Sequence, residues 1–388
     1  MIKREMQAVL KKLASQFPVV TVIGPRQSGK TTLVKTMFPG YSYANLESPD
    51  IRDLAENDSL EFLRQYPAPT IIDEIQRVPK ILSYIQVKVD SEKNNGSYIL
   101  TGSQQLELRA SITQSLAGRT AILQLLPFSI RELQGAGIHL DRDELIFRGF
   151  MPRLYNEQID AESLYRSYFQ TYVERDARQL INIKNMSAFH TFIRLLAGRI
   201  GQEVNLHSMS GDVGISSTTL KEWLSALEAS FVVFRLPPYF ENFGKRHIKS
   251  PKIYFTEIGL ASYLLGIRGI EHVARDPLIG GLFENMVVLE ALKARYNSGK
   301  DPDLYFFRDN HGLEIDLIIS SHRQLKPVEI KSSRTFSSDF INNIERYRKI
   351  APAVKPGAVV YAGKITPDFH GTKILNFADT ADLLDDWS

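Results

Sequence analysis

Residues 24–32 read Gly24-Pro25-Arg26-Gln27-Ser28-Gly29-Lys30-Thr31-Thr32. Glycines at 24 and 29, followed directly by a lysine and a threonine, satisfy the spacing of a phosphate-binding loop. The flanks supply the context such a loop needs. The apolar run Val19-Val20-Thr21-Val22-Ile23 predicts a buried parallel strand, and Thr32-Leu33-Val34-Lys35-Thr36-Met37 predicts the start of a helix. Glycines let the backbone wrap closely round a polyphosphate, so that loop N–H groups and the helix N-terminus face its oxygens. Lys30 then reaches the β- and γ-phosphates and the Thr31 hydroxyl ligates Mg²⁺. The whole run Gly24 to Thr32 forms the nucleotide-binding set, and ATP with Mg²⁺ is the expected cofactor.

Working outward, Ile2 to Gln16 carries a helical stripe of Met6, Val9, Leu10 and Leu13. A second strand is expected at Tyr41 to Leu46 and a helix from Pro49 to Tyr66. Thr70-Ile71-Ile72-Asp73-Glu74 reads as a short apolar strand ending in two acids. The C-terminal ends of buried parallel strands lie beside the bound ligand. Asp73 there can hold Mg²⁺ through water, joining the nucleotide-binding set, and Glu74 can take a proton from the attacking water. The next strand, Ser97 to Ser103, ends in Thr101 and Ser103, placed to contact the γ-phosphate or that water. Arg119 opens a fifth strand and is a candidate for stabilising transferred charge, in the same subunit or a neighbouring one. Arg153 is a second such arginine.

The 388 residues suggest roughly two or three domains. Basic and acidic residues number 47 and 44, a net charge of +3, which permits nucleic-acid binding without requiring it. The absence of cysteine excludes disulfides, zinc–thiolate sites and a thiol nucleophile. Met1 to Met6 lacks an apolar signal core, and no uncharged apolar run is long enough to span a bilayer. A cytoplasmic protein without a membrane span is the expectation.

The strings GPRQSGKTTL, TIIDEIQ, ILTGSQQ and LAGRTAILQLLPFS (116–129) resemble AAA+ ATPases, and most closely the AAA_14 type with a C-terminal DUF4143 domain. GFMPRLY (149–155) and TYVERDARQL (171–180) extend the resemblance over essentially the whole chain. It implies that Lys30 and Thr31 bind nucleotide and Mg²⁺, that Asp73 is the metal-side acid and that Glu74 is the catalytic acid.

Residues 186–265 predict a helix, a short helix, a helix opened by Ser217, Thr218 and Thr219, and then a strand pair. That order is the order of a winged helix-turn-helix, whose third helix would place Ser217, Thr218, Thr219 and Lys221 in a major groove. A basic run, Lys245 to Lys252, follows it. The module also resembles the front part of DUF4143, and winged helices serve equally as packing modules.

From 275 to 388 the expected order is helix, three strands, helix, strand, the core of restriction-endonuclease-like folds. Asp316 lies on one strand and Glu329-Ile330-Lys331 on the next, with Glu329 and Lys331 on one face because strand side chains alternate. Two carboxylates there suit Mg²⁺, and Lys331 would orient the water or steady the developing charge. Glu284 is a further candidate ligand, and His311, in a turn, reads as structural. This pattern resembles the PD-(D/E)xK nucleases, with Ile315 in place of the proline. The expected architecture is therefore α/β in three parts: a AAA+-like P-loop ATPase with a helical lid (1–185), a winged helix (186–265) and a nuclease-like domain (275–388). The expected function is an ATPase acting on DNA through a metal-dependent nuclease site. Alternatives are a nucleotide-switched DNA- or protein-binding regulator with an inert nuclease fold, and a ring-forming homo-oligomeric motor.

Overall fold

Five apolar strands build the first sheet of the computed structural model: β1 (Val19–Ile23), β2 (Ser42–Asn45), β3 (Thr70–Asp73), β4 (Tyr98–Gly102) and β5 (Thr120–Gln124). All pairings are parallel, in the order β2-β3-β4-β1-β5. Every residue of β1, β3 and β4 is buried, as both faces of a parallel sheet must be. Strand alternation divides the core. Val19, Ile23, Ile72 and Leu100 pack on one face with helices α4 (Ser59–Gln65) and α5 (Ile81–Glu92). Val20, Val22, Ile71 and Ile99 pack on the other with α1 (Gln7–Ala14) and α2 (Lys30–Met37). The helix expected over 49–66 is two, α3 (Pro49–Asn57) and α4, because the Asp58 side chain accepts from the Glu61 N–H and restarts the chain.

The structure describes residues 1–103, 115–174, 183–239, 250–321, 324–351, 354–366 and 368–385. Gln104 and Gln105, most of the TYVERDARQL string and residues 245–249 of the basic run lie outside them. The chain divides into two compact units. The first is Met1–Phe128 with Ala229–Phe231 and Tyr296–Lys300; the second is Ser129–Glu228, Val232–Arg295 and Asp301–Ser388.

The second unit begins with the segment expected to complete the ATPase: α6 (Ile130–Gly135), α7 (Arg142–Arg148), α8 (Arg153–Asn156) and α9 (Ala161–Tyr168). These helices cluster with the C-terminal half because buried polar groups tie them there. The Ile130 N–H donates to Glu290 (2.7 Å), the Phe150 N–H to Glu257 (2.9 Å), and the Ser262 hydroxyl to the Ile146 carbonyl (2.7 Å). Next come α10 (Met186–Gly198), α11 (Leu206–Val213) and α12 (Ser217–Ala229), then the antiparallel hairpin β6 (Val233–Leu236) and β7 (Lys252–Phe255). Glu203 bridges to Lys252 on the hairpin's other edge.

Helices α13 (Ile258–Leu264) and α14 (Ile279–Asn297) lead into a second sheet. Its strands are β8 (Leu304–Arg308), β9 (Glu314–Ser321), β10 (Gln324–Lys331), β11 (Ala358–Tyr361), β12 (Asp368–Phe369) and β13 (Thr372–Asn376), in the order β12-β13-β11-β10-β9-β8. β8, β9 and β10 form an antiparallel meander, and β11 joins β10 in parallel after α15 (Asn342–Ile350). Helix, three strands, helix and strand thus follow in the expected order, with β12 and β13 added beyond them.

Candidate functional site

The chain leaves β1 through Gly24, where a Cβ would lie 2.0 Å from the Leu125 carbonyl oxygen, so only glycine fits. Gly29, at φ +91°, caps α2 in the left-handed region, which glycine enters without steric cost. Lys30 is buried, and its ammonium donates to the loop carbonyls of Gly24 (3.0 Å) and Pro25 (2.8 Å). The Arg4 guanidinium braces the loop, donating to the carbonyls of Ser28 (2.7 Å) and Leu126 (2.6 Å) over the Phe128 ring. Ser28 Oγ and Gln27 Oε1 are buried without a hydrogen-bond partner among the described residues. Buried polar atoms are normally paired, so two orphans within the loop fit a site shaped for a polar ligand.

The two acids at the end of β3 are held differently. Asp73 Oδ2 accepts from the Thr31 hydroxyl (2.9 Å) and the Tyr43 hydroxyl (2.8 Å), and Oδ1 from the Thr101 hydroxyl. Burial and the neighbouring Asp73 raise the Tyr43 pKa, which keeps its proton on the phenol as donor. Glu74 sits in the left-handed region at φ +57°, and its N–H donates to Thr101 Oγ1 (3.3 Å). Its Oε2 accepts from the Ser103 hydroxyl (3.0 Å) and the Gln76 amide, which also bond each other (3.1 Å). Thr31 and Asp73 thus present a hydroxyl and a carboxylate side by side, an oxygen pair suited to Mg²⁺.

Arg119 lies elsewhere. Its backbone carbonyl accepts from the Val19 N–H at the start of β1, and its guanidinium is paired with Asp90 (2.6 and 2.8 Å). The phosphate loop leaves the opposite end of β1, roughly 13 Å away at about 3.3 Å per strand residue. The expectation that Arg119 acts on the phosphates of its own chain is therefore corrected. Arg153 is paired with Glu157 one helical turn on (2.8 Å).

On the second sheet, Asp316, Glu329 and Lys331 come together. Lys331 Nζ lies 2.5 Å from Glu329 Oε2 and 3.6 Å from Asp316 Oδ2, and the Ile330 N–H donates to Asp316 (2.8 Å). Burial, then the Asp316 charge, pushes Glu329 up to about 8, against the opposing pull of Lys331 and the Asn343 side chain. Glu284, projecting from α14, is taken by other partners. Its Oε1 accepts from Lys252 Nζ (2.9 Å) and the Tyr254 hydroxyl (2.5 Å), both on β7. Burial, then Asp316, raises it to about 7, with Lys252 and Tyr254 opposing. Among the described residues no three His, Cys, Asp or Glu side chains gather closely enough to hold a metal. The expected ligand set of Asp316, Glu329 and Glu284 is corrected accordingly: the first two meet around Lys331, and Lys252 holds the third.

Residues 16–134 match the family model described as an AAA domain (AAA_14). Residues 279–379 match the domain of unknown function DUF4143, and 140–271 a further domain of unknown function, DUF8612. The chain carries an AAA_14 domain and a DUF4143 domain. Two curated relatives, uncharacterized proteins of Mycobacterium bovis and Mycobacterium tuberculosis, are each 29% identical over 365 residues, covering 93% of this chain and 80% of theirs. Among solved structures, a Walker-type ATPase of Pyrococcus abyssi aligns at 15% identity and TM-score 0.45, covering 68% of this chain and 96% of that one. AMPPCP-bound DnaA from Aquifex aeolicus aligns at 14% and 0.30, covering 57% and 85%.

The AAA_14 site contains residues that sequence reasoning passed over. Tyr43 and Arg4 reach it from a different strand and from the chain's start, which no local pattern marks, and Gln76 ends the TIIDEIQ string without a role assigned to it there. In the segment matched by DUF8612, Thr218 and Lys221 of α12 are exposed, with the acid Glu222 beside them. Lys252, the last residue of the basic run, is 2% exposed and ion-paired to Glu284 and to Glu314 (2.7 Å). His311 is an exposed turn residue whose N–H donates to Asp309 (2.8 Å). Among the described residues no helix is long and apolar enough to cross a membrane.

Proposed function

We propose that the AAA_14 domain binds ATP with Mg²⁺ and hydrolyses it. The observation that carries this reading is the Thr31–Asp73–Thr101–Glu74 network beside a phosphate loop with two buried polar atoms that have no partner among the described residues. The loop N–H groups and Lys30 bind the phosphates, with the Lys30 ammonium exchanging loop carbonyls for phosphate oxygens. Thr31 and Asp73 hold the Mg²⁺, which supplies neutralisation of the phosphate charge. Thr101 orients Asp73 through its hydroxyl and fixes the Glu74 backbone. Glu74 takes the proton of the attacking water at its carboxylate. Steady-state ATPase and nucleotide-binding measurements test this. Lys30→Ala should lose binding, and Glu74→Gln should bind ATP but turn it over at least tenfold more slowly. Normal turnover in Glu74→Gln would refute the assignment.

A second reading, action on DNA through DUF4143, is favoured by the convergence of Asp316, Glu329 and Lys331. Glu329 Oε1 is buried without a hydrogen-bond partner among the described residues, which fits a carboxylate pair prepared for one divalent cation. α12 offers Thr218 and Lys221 to a polynucleotide. Plasmid and single-stranded DNA, incubated with Mg²⁺ or Mn²⁺ with and without ATP, test it against Lys331→Ala. Cleavage lost in that variant supports a nuclease. Intact ATPase without cleavage favours a nucleotide-switched, cytoplasmic binding protein. Arg119 is left to a role across a subunit boundary, which a homo-oligomer would permit.

A further inference from the structure

Glu284 is enclosed on three sides. Lys252 and Tyr254 hold its Oε1, and Gly201, in the left-handed region at φ +73°, leaves 3.3 Å between its would-be Cβ and Oε2. Lys252 belongs to the hairpin, in the segment matched by DUF8612, whereas Glu284 and the acids beyond it belong to DUF4143. The lysine ammonium therefore enters another domain's carboxylate cluster from outside. Its Nζ lies 2.9 Å from Glu284 and 2.7 Å from Glu314. It places a cation where a divalent ion would otherwise meet a third carboxylate. Glu314 has a second cation in Arg308 (3.7 Å). Glu284 has no ion-pair partner besides Lys252 among the described residues, so departure of the lysine frees Glu284 in particular.

We propose that Lys252 withholds Glu284 from the Asp316–Glu329 pair, so that the hairpin sets how many carboxylates a divalent cation meets in DUF4143. With the hairpin seated, the site offers two carboxylates and Lys331. With Lys252 withdrawn, Glu284 becomes a third ligand, and affinity for hard divalent ions rises with the count of charged ligands. The inference rests on reading Asp316 and Glu329 as a metal pair.

The test is Mn²⁺ binding to the full-length, nucleotide-free chain, followed by the paramagnetic resonance of free Mn²⁺. Binding at DUF4143 is the part lost in Asp316→Asn. Lys252→Met should tighten that binding at least tenfold, and adding Glu284→Gln should return it to the wild-type value. Circular dichroism checks that each variant is folded. If Lys252→Met does not fold, Tyr254→Phe loosens Glu284 without stranding a charge and should tighten binding at least twofold. Equal affinity in the wild type and these variants overturns the proposal while leaving the metal pair standing. No Mn²⁺ sensitive to Asp316→Asn in any of the proteins overturns both.

Discussion

Thr101→Val removes one hydroxyl and keeps the shape of a fully buried side chain. That hydroxyl donates to Asp73 Oδ1 and accepts the Glu74 N–H at 3.3 Å. A hydrogen bond to a charged group contributes about 1.5–3 kcal/mol, and the longer amide contact less. Both acids lose their common anchor, while Lys30 and the loop are untouched. If the loss is felt mainly in the transition state, about 1.4 kcal/mol per factor of ten gives a kcat fall of roughly 10- to 100-fold. The KM for ATP should stay within about threefold, since it reports contacts the variant retains. Urea denaturation should show a loss of about 1–3 kcal/mol from the unpaired Asp73 oxygen and Glu74 amide. The assay is MgATP turnover measured beside fluorescent-nucleotide binding. A folded variant with kcat within twofold of wild type would refute the claim that this bridge positions both acids.

Four further outcomes follow from the geometry. Lys30→Met should weaken nucleotide binding about 100-fold, the worth of two charge-assisted phosphate contacts, with little change in the thermal midpoint. Arg119→Ala should leave single-chain ATPase turnover within twofold, and a concentration-dependent loss would instead reveal a role across subunits. Gly149→Ala puts a Cβ 2.1 Å from both Glu257 Oε1 and the Tyr165 hydroxyl at φ +71°, so denaturation should show a loss of about 2–4 kcal/mol. In metal-free protein, Glu329 and Glu284 hold protons more tightly folded (about 8 and 7) than in an ordinary unfolded glutamate (4.5). Their stabilisation is complete below about pH 4.5 and is lost as pH rises through 7 to 8. Thermal midpoints should fall over that range, with a shallower slope in Glu329→Gln.

Local chemistry was legible and long-range pairing was not. The phosphate loop, the acids ending β3 and the alternation of Glu329 and Lys331 are each written within a few residues, since loop and strand geometry act over that distance. Asp58 showed the limit of periodicity: the apolar stripe of residues 49–66 runs on across a side-chain cap that restarts the helix. Tyr43 reaches Asp73 only because β2 lies beside β3, an adjacency no short window contains. The burial of Lys252 was hidden for the same reason. In sequence the lysine continues a basic run, and only the pairing of β7 with its neighbours shows that Glu284 and Glu314 neutralise it. The end of the ATPase segment was also hidden, because the groups that tie Ile130 and Phe150 into the second unit, Glu290 and Glu257, are distant in the chain.

Helix α14 touches three segments within a few turns. Glu284 receives Lys252, Asn285 bonds both backbone groups of Phe255 (2.7 and 2.9 Å), Glu290 accepts the Ile130 N–H, and Lys293 lies 3.5 Å over the Phe150 ring. The stretches on either side of residue 275 are consequently not interchangeable cassettes. A fragment ending before α14 would strand the Phe255 backbone groups and the Ile130 amide, and one beginning there would strand the buried Glu284 carboxylate, whereas Glu290 would keep Lys293 (2.7 Å). Amide exchange along β7, α6 and α14 should then slow together as one opening unit, and recombining these segments between relatives should succeed only when the helix and its partners travel together.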